Sequence, residues 1–178
     1  FQPDELARAV EERGLDSLWF SEHTHIPLRF LNAPGRGSSL PEYYWQTYDI
    51  FVAMTLAAAA TRDLKIASGV SLVIEHDPIL IAKETVTIDL LSKGRLIFGV
   101  GAGWLEPEMA DHGVVYRTRF QLLKEQLRAI KEIWRTEESE FHGSLQLSEG
   151  HASALGEGLG VAQGDVHHLE AGELDERL

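Results

Sequence analysis

Apolar runs of two different periods alternate along residues 3–134, and that alternation constrains the fold more than any other feature. "PDELARAVEER", residues 3–13, spaces Leu6, Ala9 and Val10 on one helical face and meets Gly14 as a stop. "SLWF", 17–20, reads as a short strand. "DIFVAMTLAAAAT", 49–61, reads as a buried helix with Asp49 at its cap, and "LKIASGVSLV", 64–73, as a strand. Asp77-Pro78 starts the next helix, a cap residue followed by a proline at the first helical position, and Gly94 ends it. "RLIFGV", 95–100, is a third strand. A helix over 117–134 follows, with Phe120, Leu123, Leu127, Ile130 and Trp134 on one side. Helix and strand in strict alternation predict βαβ units and a parallel sheet.

Three strands make neither a closed barrel nor a comfortable open sheet, so the 178 residues read as part of a larger α/β unit. The first residue is Phe1, which also suggests a fragment. After His142-Gly143 the composition changes: glycines and acids abound, and aromatics are absent. The expected organisation is a domain over 1–143 and an acidic, Gly-rich tail over 144–178, weakly structured and unable to form a strand. The formal net charge of -12 argues against nucleic acid and anionic membranes as partners. The chain has no cysteine, which suits a reducing cytoplasm. No apolar run reaches the length of a membrane span.

In a parallel α/β protein, chemistry gathers at the carboxyl ends of the strands. Three such ends carry signals. "WFSEHTH" places Glu22, His23 and His25 directly after the first strand. A histidine there is well placed for proton transfer, while a surface histidine opening a loop is the commoner case. As metal ligands, neighbouring residues on an extended chain point apart and lack a third partner, so no metal is expected. In "SGVSLV", Ser68, Gly69 and Ser71 are small residues in an apolar strand and mark a bulge or a close backbone approach. In "GVGAGW", Gly101 and Gly103 leave backbone bare for a flat ring or a phosphate, or serve turn geometry alone. A dinucleotide fingerprint fails, because Glu106 stands where the third glycine belongs.

Together, "GLDSLWFSEHTHIP", the stretch from "LAAAATRDLKIASGV" to "RLIFGVGAGW", and "HGVVYRTRFQLLKEQLRAIKEIW" resemble the luciferase-like monooxygenase family. The nearest likeness is to its branch that uses the deazaflavin coenzyme F(420). The resemblance covers about residues 3–143. It implies a partial TIM (β/α)8 barrel, holding about strands two to four. It implies an oxidoreductase that transfers hydride through the deazaflavin to or from a small organic substrate. FMN-dependent oxygen chemistry on the same fold is the alternative, and an inactive fragment or interaction module a third. By resemblance His23 is the catalytic histidine and Glu22 its acidic neighbour. Ser68, Gly69, Val70, Gly101 and Gly103 border the cofactor, with a non-proline cis peptide at Gly69-Val70. The loop 25–46, with Phe30, Tyr43, Tyr44 and Trp45, shapes the substrate pocket. Trp104 stands where the family's sugar-phosphate dehydrogenases carry a glutamate, which argues against that substrate. A half barrel leaves strand edges open, so the chain is expected to associate with itself and to bind coenzyme weakly.

Overall fold

The computed structural model describes residues 1–31, 40–136, 139–141, 143 and 150–152. Its elements follow the expected alternation. Helix α1 (Pro3–Glu12) leads to strand β1 (Ser17–Phe20), a short α2 (Leu28–Leu31), α3 (Ile50–Ala60) and β2 (Lys65–Ser68). Then come α4 (Pro78–Ser92), β3 (Leu96–Ile97), α5 (Glu106–Asp111) and α6 (Arg119–Arg135). Strands β1, β2 and β3 form one parallel sheet in that order, with Ser17 opposite Lys65 and Ile66 opposite Leu96.

The capping signals act as expected. Asp49 accepts from Val52 N at 2.9 Å and starts α3; Asp77 accepts from Ile79 N and Leu80 N and starts α4. Lys93 and Gly94, both at positive φ, turn the chain out of α4. Behind the sheet, Ile50, Met54, Leu64, Ile66, Ile81 and Ile130 are fully or almost fully buried in one core. Each such side chain contributes about 1.5–3 kcal/mol of transfer free energy. α1 packs on α3, and α4 on α6.

At the amino ends of the strands, Arg95 staples the layers. Its guanidinium donates to Leu64 O (2.7 Å), Ala58 O (2.8 Å), Ser92 O (2.7 Å) and Thr61 Oγ1 (2.9 Å). It thereby satisfies carbonyls at the carboxyl ends of α3 and α4. Glu11 acts nearby: one carboxylate oxygen takes the backbone N–H of Arg62, Asp63 and Leu64, and these bonds hold its carboxyl below the usual range.

Four expectations need correction. The second strand stops at Ser68 rather than running to residue 73: the Gly69–Val70 peptide is cis, Ser71 rejoins the sheet only through a bridge to Val100, and a 3-10 turn follows at Val73–Glu75. The third strand shrinks to Leu96–Ile97 for the same reason, since its partner leaves the ladder. On α6, Ile130 is buried and Leu123 and Trp134 pack on the core as expected, but Leu122, Gln126, Ala129 and Ile133 share that face and Phe120 is half-exposed beneath the Arg119 guanidinium. The buried stripe is wider than expected and turned away from Phe120, because α4 and the turn after β2, rather than hydropathy alone, choose the contact face. Finally, Gly150–Ala152 does form a strand, β5, antiparallel to β4 (Ser139–Phe141). Backbone pairing there does not wait on β-branched side chains. The rest of the predicted tail lies outside the described residues. Among the described residues, no helix is long and apolar enough to cross a membrane.

Candidate active site

The chain leaves β1 at Phe20, and the next residues fan out over the carboxyl end of the sheet. Glu22 turns inward and is buried. Its Oε2 accepts from Leu72 N (2.6 Å) and Ser71 Oγ (3.1 Å), and its Oε1 lies 2.8 Å from His76 Nε2. Burial lowers the basicity of His76, but the bond to Glu22 outweighs it and raises the pKa above the usual imidazole value. Glu22 therefore clamps the bulge after β2 to the end of β1.

His23 turns the other way. Its Nδ1 lies 2.7 Å from Glu108 Oε2. Glu108 is buried on α5, the short helix that the sequence reasoning missed. Its Oε1 also takes Thr24 N (2.7 Å), Thr24 Oγ1 (3.1 Å) and His25 N (3.3 Å). Burial pushes the Glu108 carboxyl up; the bonds from His23, His25 and Thr24 more than compensate and hold it below its usual value. An ionised Glu108 accepts the Nδ1–H of His23, and the other ring nitrogen is left as the reactive one.

His23 borders a pocket of about 280 Å³, with Glu22, Tyr43, Tyr44, Gly69, Val70, Gly103 and Trp104 also on its wall. The Trp104 ring stands edge-on to His23 at 5.8 Å between centroids, and Tyr44 lies at 5.4 Å. Phe30 packs on Trp104 at 6.1 Å. Of the loop 25–46, Phe30, Tyr43 and Tyr44 thus reach the site, while residues 32–39 lie outside the described residues.

Five of the anticipated residues meet here: His23, Glu22, Gly69, Val70 and Gly103 all line the pocket. Ser68 and Gly101 do not. Ser68 is buried and donates to Gly99 O at 2.8 Å. A Cβ on Gly101 would meet Val70 Cγ2 at 2.6 Å, and one on Gly99 would strike the Ser68 carbonyl oxygen. The absence of a Cβ at these two glycines makes room for the neighbouring bulge. Gly103 differs: it sits at φ +66° on the pocket wall, with Met109 and Leu72 packed behind it. Two later signals, the acid-rich "EPEM" and the His112-Gly113 stop, mark α5 in retrospect; nothing local pairs Glu108 with a histidine 85 positions away.

A parallel sheet with a pocket at its strand carboxyl ends, bordered by a histidine–carboxylate pair and a bulge, corresponds to the face on which (β/α) barrel proteins carry their sites. The chain belongs to the luciferase-like monooxygenase family, whose model matches residues 4–155. It is 41% identical over 146 residues to an uncharacterised protein of Mycobacterium tuberculosis, covering 80% of this chain and 52% of the relative. It is 32% identical to an F(420)-dependent glucose-6-phosphate dehydrogenase of Amycolatopsis mediterranei, covering 78% of this chain and 39% of that one. The oxygenating constituent of 3,6-diketocamphane monooxygenase of Pseudomonas putida, solved with FMN, superposes with a TM-score of 0.63 at 21% identity, over 84% of this chain and 37% of that one. The chain spans about half the length of the curated relatives it matches, or less.

Proposed function

We propose that this chain carries the catalytic histidine and the ring-binding wall of an oxidoreductase that moves hydride between deazaflavin coenzyme F(420) and a small organic alcohol or carbonyl compound. The observation that carries it is the His23–Glu108 pair, which opens on the same pocket as the cis Gly69–Val70 bulge. The residues present fit a planar ring: Gly69, Val70 and Gly103 bring backbone to the pocket wall, and Tyr44 and Trp104 offer flat apolar faces. Among the described residues no Lys or Arg lines the pocket, so this part of the fold suits the ring rather than a phosphate-bearing tail. The bound deazaflavin would supply a two-electron hydride carrier that reacts poorly with oxygen.

The chain's own residues supply the proton chemistry. His23 Nε2 takes the proton of a substrate hydroxyl, or returns one to a carbonyl oxygen, and the Glu108 charge stabilises the imidazolium. Trp104 and Tyr44 exclude water and favour an uncharged substrate. By the family resemblance, Trp104 stands where the sugar-phosphate dehydrogenases carry a glutamate, which supports a substrate other than a sugar phosphate. The preference for deazaflavin over FMN draws on the strand-end motifs and on the F(420)-dependent relative. Equilibrium fluorescence titration of a barrel completed with the remaining half of a relative tests it. Deazaflavin binding with little FMN binding is expected; tight FMN binding alone would overturn the proposal.

A further inference from the structure

A second buried acid lies behind the pair. Glu75, in the 3-10 turn after the bulge, has its side chain 1% exposed. Its Oε1 has no hydrogen-bond partner among the described residues. Its Oε2 reaches only Thr24 Oγ1, at 3.4 Å, with His112 Nε2 further off at 3.8 Å. An unpartnered carboxyl oxygen in such a place is far less costly on a neutral acid than on an anion.

The same Thr24 hydroxyl lies 3.1 Å from Glu108 Oε1, 2.7 Å from His112 Nε2 and 3.0 Å from His25 Nδ1. A hydroxyl has one hydrogen and two lone pairs. An ionised Glu108 can only accept, and so can His25 Nδ1 when its Nε2–H is given to Asp111 Oδ2 (3.0 Å), so the one hydrogen is shared between Glu108 Oε1 and His25 Nδ1. The lone pairs are then filled by donors, His112 Nε2–H and the Glu75 carboxyl. If Glu75 were also an anion, two carboxylates would compete for one hydrogen.

We propose that Glu75 is a positioning residue of this site: a buried neutral acid that donates to Thr24 and so turns the Thr24 hydroxyl onto Glu108 Oε1, leaving Oε2 to hold His23. The larger influences on its carboxyl favour that state. Burial, then Glu108 on α5, then Glu22 after β1, push the Glu75 carboxyl up to about 8, against smaller opposing effects of Thr24 and His76. Burial and the neighbouring His25 and His76 hold His112 below its usual value, so it is a neutral ring free to carry its hydrogen on Nε2. Thr24 itself is exposed, so it is also the contact of the buried acids with water. As pH rises through about 8, Glu75 loses its proton, the donor to Thr24 disappears, and a second negative charge faces Glu108. His23 feels that change although it does not touch Glu75.

The inference rests on His23 being the proton-transfer group, and its test needs no cofactor. In the ligand-free full chain, ¹⁵N shifts of the His23 ring are followed against pH. The expected curve has a second inflection near pH 8, which Glu75→Gln, neutral and still a donor, abolishes. Thr24→Val shrinks it to the through-space effect of the Glu75 charge, and Thr24→Ser restores its full size. The Glu75 carboxyl ¹³C shift of the unmutated chain is expected to show the protonated form at neutral pH, a measurement independent of any variant's folding. An ionised Glu75 at pH 6.5, an inflection that survives Glu75→Gln, or one of undiminished size in Thr24→Val, would overturn the proposal. Either outcome leaves the cofactor titration unaffected, and failure of the cofactor titration leaves this result standing.

Discussion

Replacing Glu108 by Ala or by Gln separates what this residue does for the fold from what it does for His23. Glu108 accepts four hydrogen bonds, two of them at 2.7 Å, from His23 Nδ1 and Thr24 N. Alanine removes all four and strands their donors. Counting only the two short ones, at about 1.5–3 kcal/mol each for a charged acceptor, Glu108→Ala costs about 3–6 kcal/mol, in line with a broken buried pair. Glutamine keeps a carbonyl oxygen for Thr24 and His25, and trades charged for neutral bonds at a cost of about 1–2 kcal/mol. Its amide N–H, however, now points at His23 Nδ1. The ring responds by moving its hydrogen to Nε2, and the base in the pocket is lost.

Urea unfolding measures the first effect, and ¹⁵N shifts of the His23 ring the second. In a completed barrel, Glu108→Gln is expected to lower turnover about 10²–10⁴-fold. The pH dependence has a definite sign. The folded-state pKa of Glu108 lies below the ordinary 4.5, so its contribution is fully present above that value and is lost as pH falls through the folded pKa. The stability gap between the unmutated chain and the Gln variant therefore narrows in acid. A Glu108→Ala cost below about 1 kcal/mol, or an unchanged His23 tautomer in the Gln variant, would refute the reasoning.

Four further outcomes follow from the geometry. His23→Ala in a completed barrel lowers turnover about 10²–10⁴-fold with little change in the unfolding midpoint; unaltered turnover would remove His23 from the chemistry. Gly101→Ala drives a Cβ to 2.6 Å from Val70 Cγ2 and costs about 1–3 kcal/mol by denaturation, whereas a neutral result would mean the bulge yields freely. Arg95→Met strips the staple from the carboxyl ends of α3 and α4, and thermal unfolding should report a loss of about 1.5–3 kcal/mol. The outer edges of β1 and β3 carry no strand partner among the described residues, so size-exclusion chromatography should show concentration-dependent association; a sharp monomer at all concentrations contradicts it.

The sequence by itself determined the alternation of elements, their order, and where α3 and α4 begin. Those are local matters: a cap side chain meets a backbone N–H two or three residues on, as at Asp49 and Asp77, and the period of an apolar run is read within one element. It also carried the strand-end residues His23, Glu22, Gly69 and Gly103, because a parallel sheet delivers its carboxyl ends to one face. Tertiary structure alone decided the rest. The apolar run past Ser68 is as strand-like as the run before it, yet the backbone leaves the ladder there, since Glu22 from another strand end pulls Ser71 and Leu72 out of register. That Gly99 and Gly101 also leave space beside Ser68 and Val70 is visible only in three dimensions. Glu108 on a short acidic helix has no local mark of importance. Its role, like that of Glu75 beside it, arises when folding buries carboxylates together around one histidine and one hydroxyl, so that desolvation and each other's charge settle which one keeps its proton.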